Sequence, residues 1–490
     1  MKRITLAVLC CILSIFLNDA SAQNTRQTIQ PGAAPPISAL GAAREKSPKP
    51  VAESSAADIE ALKRRVEEIE NQNRLLIETV NQLKAMLEQS GMVEKGKNSP
   101  STAPASSGAS TAQANNDQTV RWSELVGEGN KIKFYGFLRL DLDFDSQRPN
   151  NTQTPLFITS PDPLAGGNDN GDFSMHPRLT RFGIDYSGPR IGGLGDAKLV
   201  GKLETDFENG GTESRQIIRI RHAYLRLDWE DFSLLAGQTW DTVSPLFPTV
   251  NNDTLQWNAG NVGDRRPQLR AAYEPKAGRG KFSFVVGLGL TGAIDAVDLD
   301  NNGFRDGEES ALPDFQARVG YSHPLDKDRS VSFGVSGFYG FLKTSRPVAG
   351  RTEFRSQLVN IDFTLPLLSR LALRGEGWWG RNMSDTRGGA GQGINLANGR
   401  EIRGRGGWSE ANIRVSRYVS INPGFSTDDP VDEDLPGGGR TRNRAFYVAN
   451  RITPGGNFLI GADYLRWRTD FRGFRRGIDN RMNIFFQYGF

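Results

Sequence analysis

Arg481-Met-Asn-Ile-Phe-Phe-Gln-Tyr-Gly-Phe490 ends the chain and decides how the rest is read. Met482, Ile484, Phe486, Tyr488 and Phe490 fall on one face of a period-2 strand. Arg481, Asn483, Gln487 and Gly489 fall on the other, interrupted only by Phe485. A strand that is apolar outward, polar inward and aromatic at its end suits the lipid-facing wall of a barrel. An amphipathic strand of a soluble sandwich is the competing reading. What decides between them is the rest of the chain.

From residue 131 onward similar segments recur, near 131–144, 178–187, 196–208, 216–229, 232–240, 268–275, 281–291, 314–323, 329–342, 353–366, 370–381, 408–416, 418–427, 443–452, 457–469 and 480–490. That is sixteen. In the first, Ile132, Phe134, Leu138, Leu140, Leu142 and Phe144 alternate with Lys133, Tyr135, Arg139, Asp141 and Asp143. Connections alternate between short Pro/Gly turns and longer loops at 145–177, 241–267, 292–313, 382–407 and 428–442. No window holds the 18 consecutive apolar residues of a membrane helix, so a membrane would be crossed by strands. The expected fold is all-β, a 16-stranded antiparallel transmembrane β-barrel over 119–490. An even count returns both barrel ends to one rim, and sixteen strands leave a wet lumen where eight would fill with side chains.

The N-terminus fits the bacterial outer membrane. Lys2 and Arg3 precede an apolar run, Ile4 to Leu17, and Ala20-Ser-Ala22 offers a cleavage site. Residues 1–22 therefore read as a signal peptide. Cys10 and Cys11 leave with it, which excludes disulfides and thiol chemistry in the mature chain. The formal charge falls from +4 to +3, since the segment carries Lys2, Arg3 and Asp19. A near-neutral chain of this length argues against a nucleic-acid partner.

Residues 23–55 are Pro-, Ala- and Ser-rich and read as disordered. In 56–90, Ile59, Leu62, Val66, Ile69, Asn73, Leu76, Val80, Leu83 and Leu87 step by three and four alternately. This narrow stripe predicts an α-helical coiled coil in the periplasm that joins subunits of a homo-oligomer; one amphipathic helix on the barrel is the alternative. A flexible linker, 91–118, follows.

The polar positions opposite the apolar ones should line the lumen. They include Arg139, Asp141, Asp143, Arg181, Asp185, Lys202, Glu204, Asp206, Arg318, Arg374, Glu376, Arg414 and also Glu410 and Arg481. From residue 119 there are 39 Arg against 8 Lys. A wall of guanidinium groups attracts anions, unless neighbouring carboxylates or lipopolysaccharide at the outer rim take them up. The 241–267 loop carries Leu246, Phe247, Leu255 and Trp257, which water alone would not require. Folding inward would set Asp241, Asp253, Asp264, Arg265 and Arg266 near the pore. A lid on the rim, or a contact with a neighbouring subunit, would satisfy the same residues.

One motif points to a metal. Asp298-Leu-Asp300-Asn-Asn302-Gly303-Phe304-Arg-Asp306-Gly-Glu-Glu309 sets oxygen ligands at positions 1, 3, 5, 9 and 12 of a calcium loop, Gly at 6 and the Phe304 carbonyl at 7. Strands rather than helices flank it, and Arg305 takes a usually apolar position. Beyond this possible structural Ca2+ no cofactor is expected.

Phe134-Tyr-Gly-Phe137, Arg181-Phe182-Gly183, Arg221-His-Ala-Tyr224, Gly237-Gln-Thr-Trp240 and the terminal Phe490, with the domain order, resemble the DcaP-like trimeric outer-membrane porins and more distantly the phosphate-selective porins. The resemblance implies a homotrimer, passive uptake and a preference for small organic anions. The calcium-like loop is no part of that family pattern. Only His176, His222 and His323 are present, so an enzyme is not expected; a barrel-type hydrolase using His222, or a structural or adhesive protein, is the alternative.

Overall fold

The computed structural model describes residues 130–490 except 153, 168, 208–215 and 251–253. The expected signal peptide, disordered segment, coiled coil and linker lie outside the described residues, as does Asp253.

Sixteen strands close into one antiparallel barrel. They are β1 (Lys131–Asp145), β2 in two pieces (Asp172–His176 and Arg181–Ile191), β3 (Ala197–Asp206), β4 (Arg219–Asp228), β5 (Phe232–Trp240), β6 (Arg265–Tyr273), β7 (Gly280–Gly289) and β8 (Asp314–Pro324). The second half comprises β9 (Ser330–Val348), β10 (Arg351–Leu368), β11 (Leu371–Arg381), β12 (Arg403–Arg414), β13 (Val419–Pro430), β14 (Arg440–Gly455), β15 (Phe458–Phe471) and β16 (Gly477–Gly489). Each strand pairs with its sequence neighbours. β1 closes the ring by pairing β16 from Phe137 opposite Gly489 to Asp145 opposite Arg481. Beyond the strand, the Gly136 and Phe490 backbones bond each other in both directions, at 3.3 and 3.1 Å.

Alternation sorts the two faces. Leu138 and Leu140 on β1, Phe446 on β14 and Met482, Phe486 and Tyr488 on β16 stand exposed on the outside. Asp141, Asp143, Asn443 and Arg481 are buried on the inside. This inverts the ordinary soluble pattern and matches a wall wetted by lipid. The chain crosses between two rims: short connections such as 229–231, 369–370 and 456–457 on one, long ones on the other, with the tight 349–350 turn an exception.

All sixteen expected segments are strands, with edges that shift. β2 starts at Asp172, before the expected 178, because Asp172–His176 zips onto Asp141–Asp145 before Pro177 interrupts it. β9 and β10 run past the apolar alternation to a tight turn, extending a hairpin through polar residues such as Lys343 and Glu353. β12 starts at Arg403 rather than 408, since Gly404, Gly406 and Gly407 carry no side chains to signal a strand.

Candidate functional site: an arginine-lined constriction

The loop 241–264 folds into the barrel. It leaves β5 and crosses to the inner faces of β9 through β15, where carboxylates and amides receive its backbone. The Val243 carbonyl accepts from Ser336 Oγ (2.5 Å) and Asn360 Nδ2 (2.9 Å). Glu376 on β11 accepts from the Leu246 amide (2.8 Å) and the Ser244 hydroxyl. Glu410 on β12 accepts from the Thr249 amide (2.8 Å) and hydroxyl (2.6 Å). Trp378 Nε1 donates to the Gly260 carbonyl (2.7 Å), and Asn443 Nδ2 to that of Asn258 (2.8 Å). A loop inside a barrel leaves its peptide groups without strand partners, so wall side chains must satisfy them.

Apolar contacts fix the same path. Val243 and Val262 pack with Phe338, Leu358, Trp378 and Met383. Val250 packs with Tyr447, Ala449 and Leu465, and Ala259 with Ile158, Ala445 and Trp467. Each buried Val side chain contributes roughly 1.5–3 kcal/mol. Val243, Val250, Ala259 and Val262 of the loop are thus partners of the opposite wall, whereas Phe247 packs on Trp240 of β5, with ring centroids 4.3 Å apart.

The loop covers one wall and leaves the other. On the side of β1, β2, β4 and β6 there remains a cavity of about 60 Å³, lined by Arg139, Arg181, Arg219, Arg221 and Arg265 with Phe137, Leu179, Leu255, Trp240 and Trp257. Its lining holds five guanidinium groups and no carboxylate. The acids stand behind. Asp141 bonds Arg139 at 2.8 Å, Glu204 bonds Arg221 at 2.7 Å, and Asp206 bonds Arg219 at 2.7 Å and Arg221 at 2.6 Å. Asp264 lies 3.3 Å from Arg265 and 2.9 Å from Arg387, and these two cations hold its carboxyl below the usual range against its burial. Aromatic faces hold the guanidinium planes: Arg139 lies 3.6 Å over Phe485, Arg181 5.0 Å over Phe137 and Arg265 4.5 Å over Trp240. Arg181 Nε and Arg265 Nη1 are buried without an acceptor. Donors held rigid and unsatisfied in a narrow gap suit a passing anion.

A family model described as DcaP outer membrane protein matches residues 54–266. Over that stretch the chain resembles DcaP. Among solved structures the outer membrane channel DcaP of Acinetobacter baumannii superposes with a TM-score of 0.60 at 18% identity, over 74% of this chain and 98% of that one. An anion-selective porin from Comamonas acidovorans gives 0.48 at 11% identity, over 74% and 100%. OmpT of Vibrio cholerae in a trimer form gives 0.46 at 12%, also over 74% and 100%. These likenesses are likenesses of fold. No curated protein matches the chain significantly. The fold is that of an outer-membrane channel.

Within this barrel the inward positions read from sequence divide into groups. Arg139, Asp141, Arg181, Glu204 and Asp206 belong to the arginine wall or its backing. Asp143 sits beside His176 (3.0 Å) and Arg481 (2.9 Å). Lys202 meets Asp185 and donates to Tyr135 Oη at 2.8 Å, toward the short-turn rim. Arg318 pairs with Asp362 at 2.7 Å, and Arg374 with Glu410 at 2.8 Å. Glu376 and Glu410 face inward but hold the loop. Arg414 stands exposed at the end of β12 by the short-turn rim.

Arg219 and Arg221 were outside the alternation argument. A register shift of β4 against β3, between Glu204 and Thr205, turns both inward, and no sequence signal marks it. Arg266 has a separate role. It is fully buried and meets three carboxylates, Asp241 at 2.6 Å, Asp385 at 2.8 Å and Asp314 at 3.1 Å. Asp385 also accepts the amides of Gly292 and Ile294, both at 2.9 Å. One guanidinium thus joins the inward loop to the loops 290–313 and 382–402.

In the loop 290–313 the carboxylates of Asp298, Asp300 and Asp306 lie within 4.8 Å of one another. Asn302 and Glu309 bond each other at 2.9 Å, and Phe304 is exposed.

Proposed function

We propose that this chain forms a channel for passive diffusion of small hydrophilic solutes across the bacterial outer membrane, with a preference for small organic anions. The observation that carries the preference is the constriction lining, in which five arginines and no carboxylate border the gap. Groups buried in the low-dielectric wall act on a solute more strongly than rim charges do. A carboxylate or phosphate crossing the gap would meet fixed, bidentate-capable donors.

The long-loop rim is the external one in this reading, with both barrel ends on the periplasmic side. Near that rim Arg403, Arg405, Arg442, Arg444, Arg466 and Arg468 lie on the outer strand face, where lipopolysaccharide phosphates would reach them. The heptad stripe between Ile59 and Leu87 supports assembly into a homotrimer through a periplasmic coiled coil.

Reversal potentials in planar bilayers under a salt gradient test the preference. The wild-type channel should favour anions, and Arg181→Gln with Arg265→Gln should shift the potential toward cations. A cation-preferring wild type, or a potential unmoved by these changes, would refute the reading. The assembly is read separately: the mass of the detergent-solubilised full chain should be that of three copies, falling when Leu62, Ile69 and Leu76 are replaced by Glu.

A further inference from the structure

We propose that the loop between β7 and β8 holds one calcium ion between the carboxylates of Asp298, Asp300 and Asp306. The argument starts from an unsatisfied pair. Asp306 is fully buried, and its Oδ1 has no hydrogen-bond partner. The Asp300 side chain is 2% exposed, and its Oδ1 likewise has none. A buried carboxylate oxygen without a donor loses its hydration and gains nothing in return. Here two such oxygens belong to a group of three carboxylates gathered within 4.8 Å.

The remaining oxygens are all engaged, and their partners hold the group in place. Asp306 Oδ2 accepts from the Leu299 amide at 2.9 Å. Asp300 Oδ2 accepts from the Arg346 amide at 2.7 Å, while Arg346 Nη2 donates to the Asp300 carbonyl at 2.7 Å. The Asp298 carboxylate accepts from the amides of Asn302 (3.1 Å) and Gly303 (2.8 Å). Gly303 has φ +90°, the conformation that its place in a calcium loop demands. The Arg346 guanidinium lies with Nε 4.0 Å from Asp300 Oδ2, and Asp300 Oδ1 and Asp306 Oδ1 take no hydrogen bond. Three like charges at this spacing repel unless a cation sits among them.

The donor set selects the ion. All-carboxylate oxygen sites suit hard divalent cations, and a flexible loop suits calcium over magnesium, which keeps its waters and demands a tighter shell. Glu309 borders the group, tied to Asn302 and to Ser345 Oγ (2.5 Å) on β9. Since Arg346 and Ser345 both belong to β9, an ion here would fasten the loop to that strand. The inference goes beyond the channel reading and does not depend on it.

Calcium chloride titrated by calorimetry into the chelator-treated full chain in detergent tests it. One equivalent should bind, in the 10⁻⁴–10⁻³ M range roughly expected of extracellular sites. Asp300→Asn with Asp306→Asn should weaken it at least tenfold, and magnesium should bind more weakly. Millimolar calcium should also slow proteolysis within 290–313 in the wild type but not in the double variant. Asp298→Asn alone, at the loop surface, should weaken binding and serves if the double variant misfolds. No binding at several millimolar calcium, or binding unchanged in these variants, overturns the site.

Discussion

At the scale of the residue, Arg266 outranks the arginines that alternation picks out. Three carboxylates depend on one guanidinium at zero exposure. Removing the cation from such a group leaves buried charges without compensation, which costs about 3–5 kcal/mol. Arg266→Met should therefore lower the urea midpoint of the folded barrel clearly, whereas Arg405→Met on the outer strand face should shift it little. A second residue gives a pH signature. Burial, with Asp385 beside it, raises the Asp295 carboxyl to about 6. Between its ordinary value of 3.8 and about 6, the folded chain holds a proton that the unfolded chain has lost. Stability from this group therefore rises as pH falls through 6, by roughly 1.4 kcal/mol per pH unit in that window, and levels off near 4. Asp295→Asn should flatten that part of a thermal-midpoint profile; an unchanged slope counts against the assignment.

At the scale of the element, the inward loop rests on one point of close approach. Gly260 has φ +126°, and a Cβ there would lie 2.4 Å from the Gly407 carbonyl and 2.7 Å from the Thr427 amide nitrogen. Gly260→Val should displace the loop from β12 and β13 at a cost of about 1–3 kcal/mol. Single-channel conductance should then rise and anion preference weaken; conductance equal to wild type would mean the loop does not set the pore's width. The strands themselves were legible because period-2 alternation is a local signal, readable in ten residues such as Arg481 to Phe490. The loop was half legible. Leu246, Phe247 and Trp257 announced that it packs somewhere, but Glu376, Glu410 and Asn443 lie well over a hundred residues away, and nothing in 241–264 names them. The same limit hid the neutralisation of Arg318 by Asp362 and of Arg374 by Glu410. Those pairs join different strands, and only the register sets them opposite.

At the scale of the molecule, the lumen is divided rather than uniformly basic. The β9–β15 wall is covered by the loop, so its charges are spent on holding backbone. The wall formed by β1, β2, β4 and β6 is left to meet solutes. Ionic strength should therefore weaken selectivity only gradually, because buried groups are screened less than exposed ones. A collapse of selectivity between low and physiological salt would instead place the charges on the rims.

The ring closes where Phe137 meets Gly489 and Asp145 meets Arg481, partners more than three hundred positions apart. That seam sets an order of events. Until Gly477–Gly489 is in place, β1 and β15 are two open edges whose gap-facing peptide groups have no partners. A chain broken off before Gly477 has no smaller ring to fall back on, since the fifteen strands left cannot supply β1 with its antiparallel neighbour. Such a fragment would present both edges to other chains, and its fate would be aggregation or proteolysis rather than a narrower pore. The β1–β16 seam is thus what completes the wall: it becomes watertight only when Arg481–Gly489 has zipped onto Phe137–Asp145.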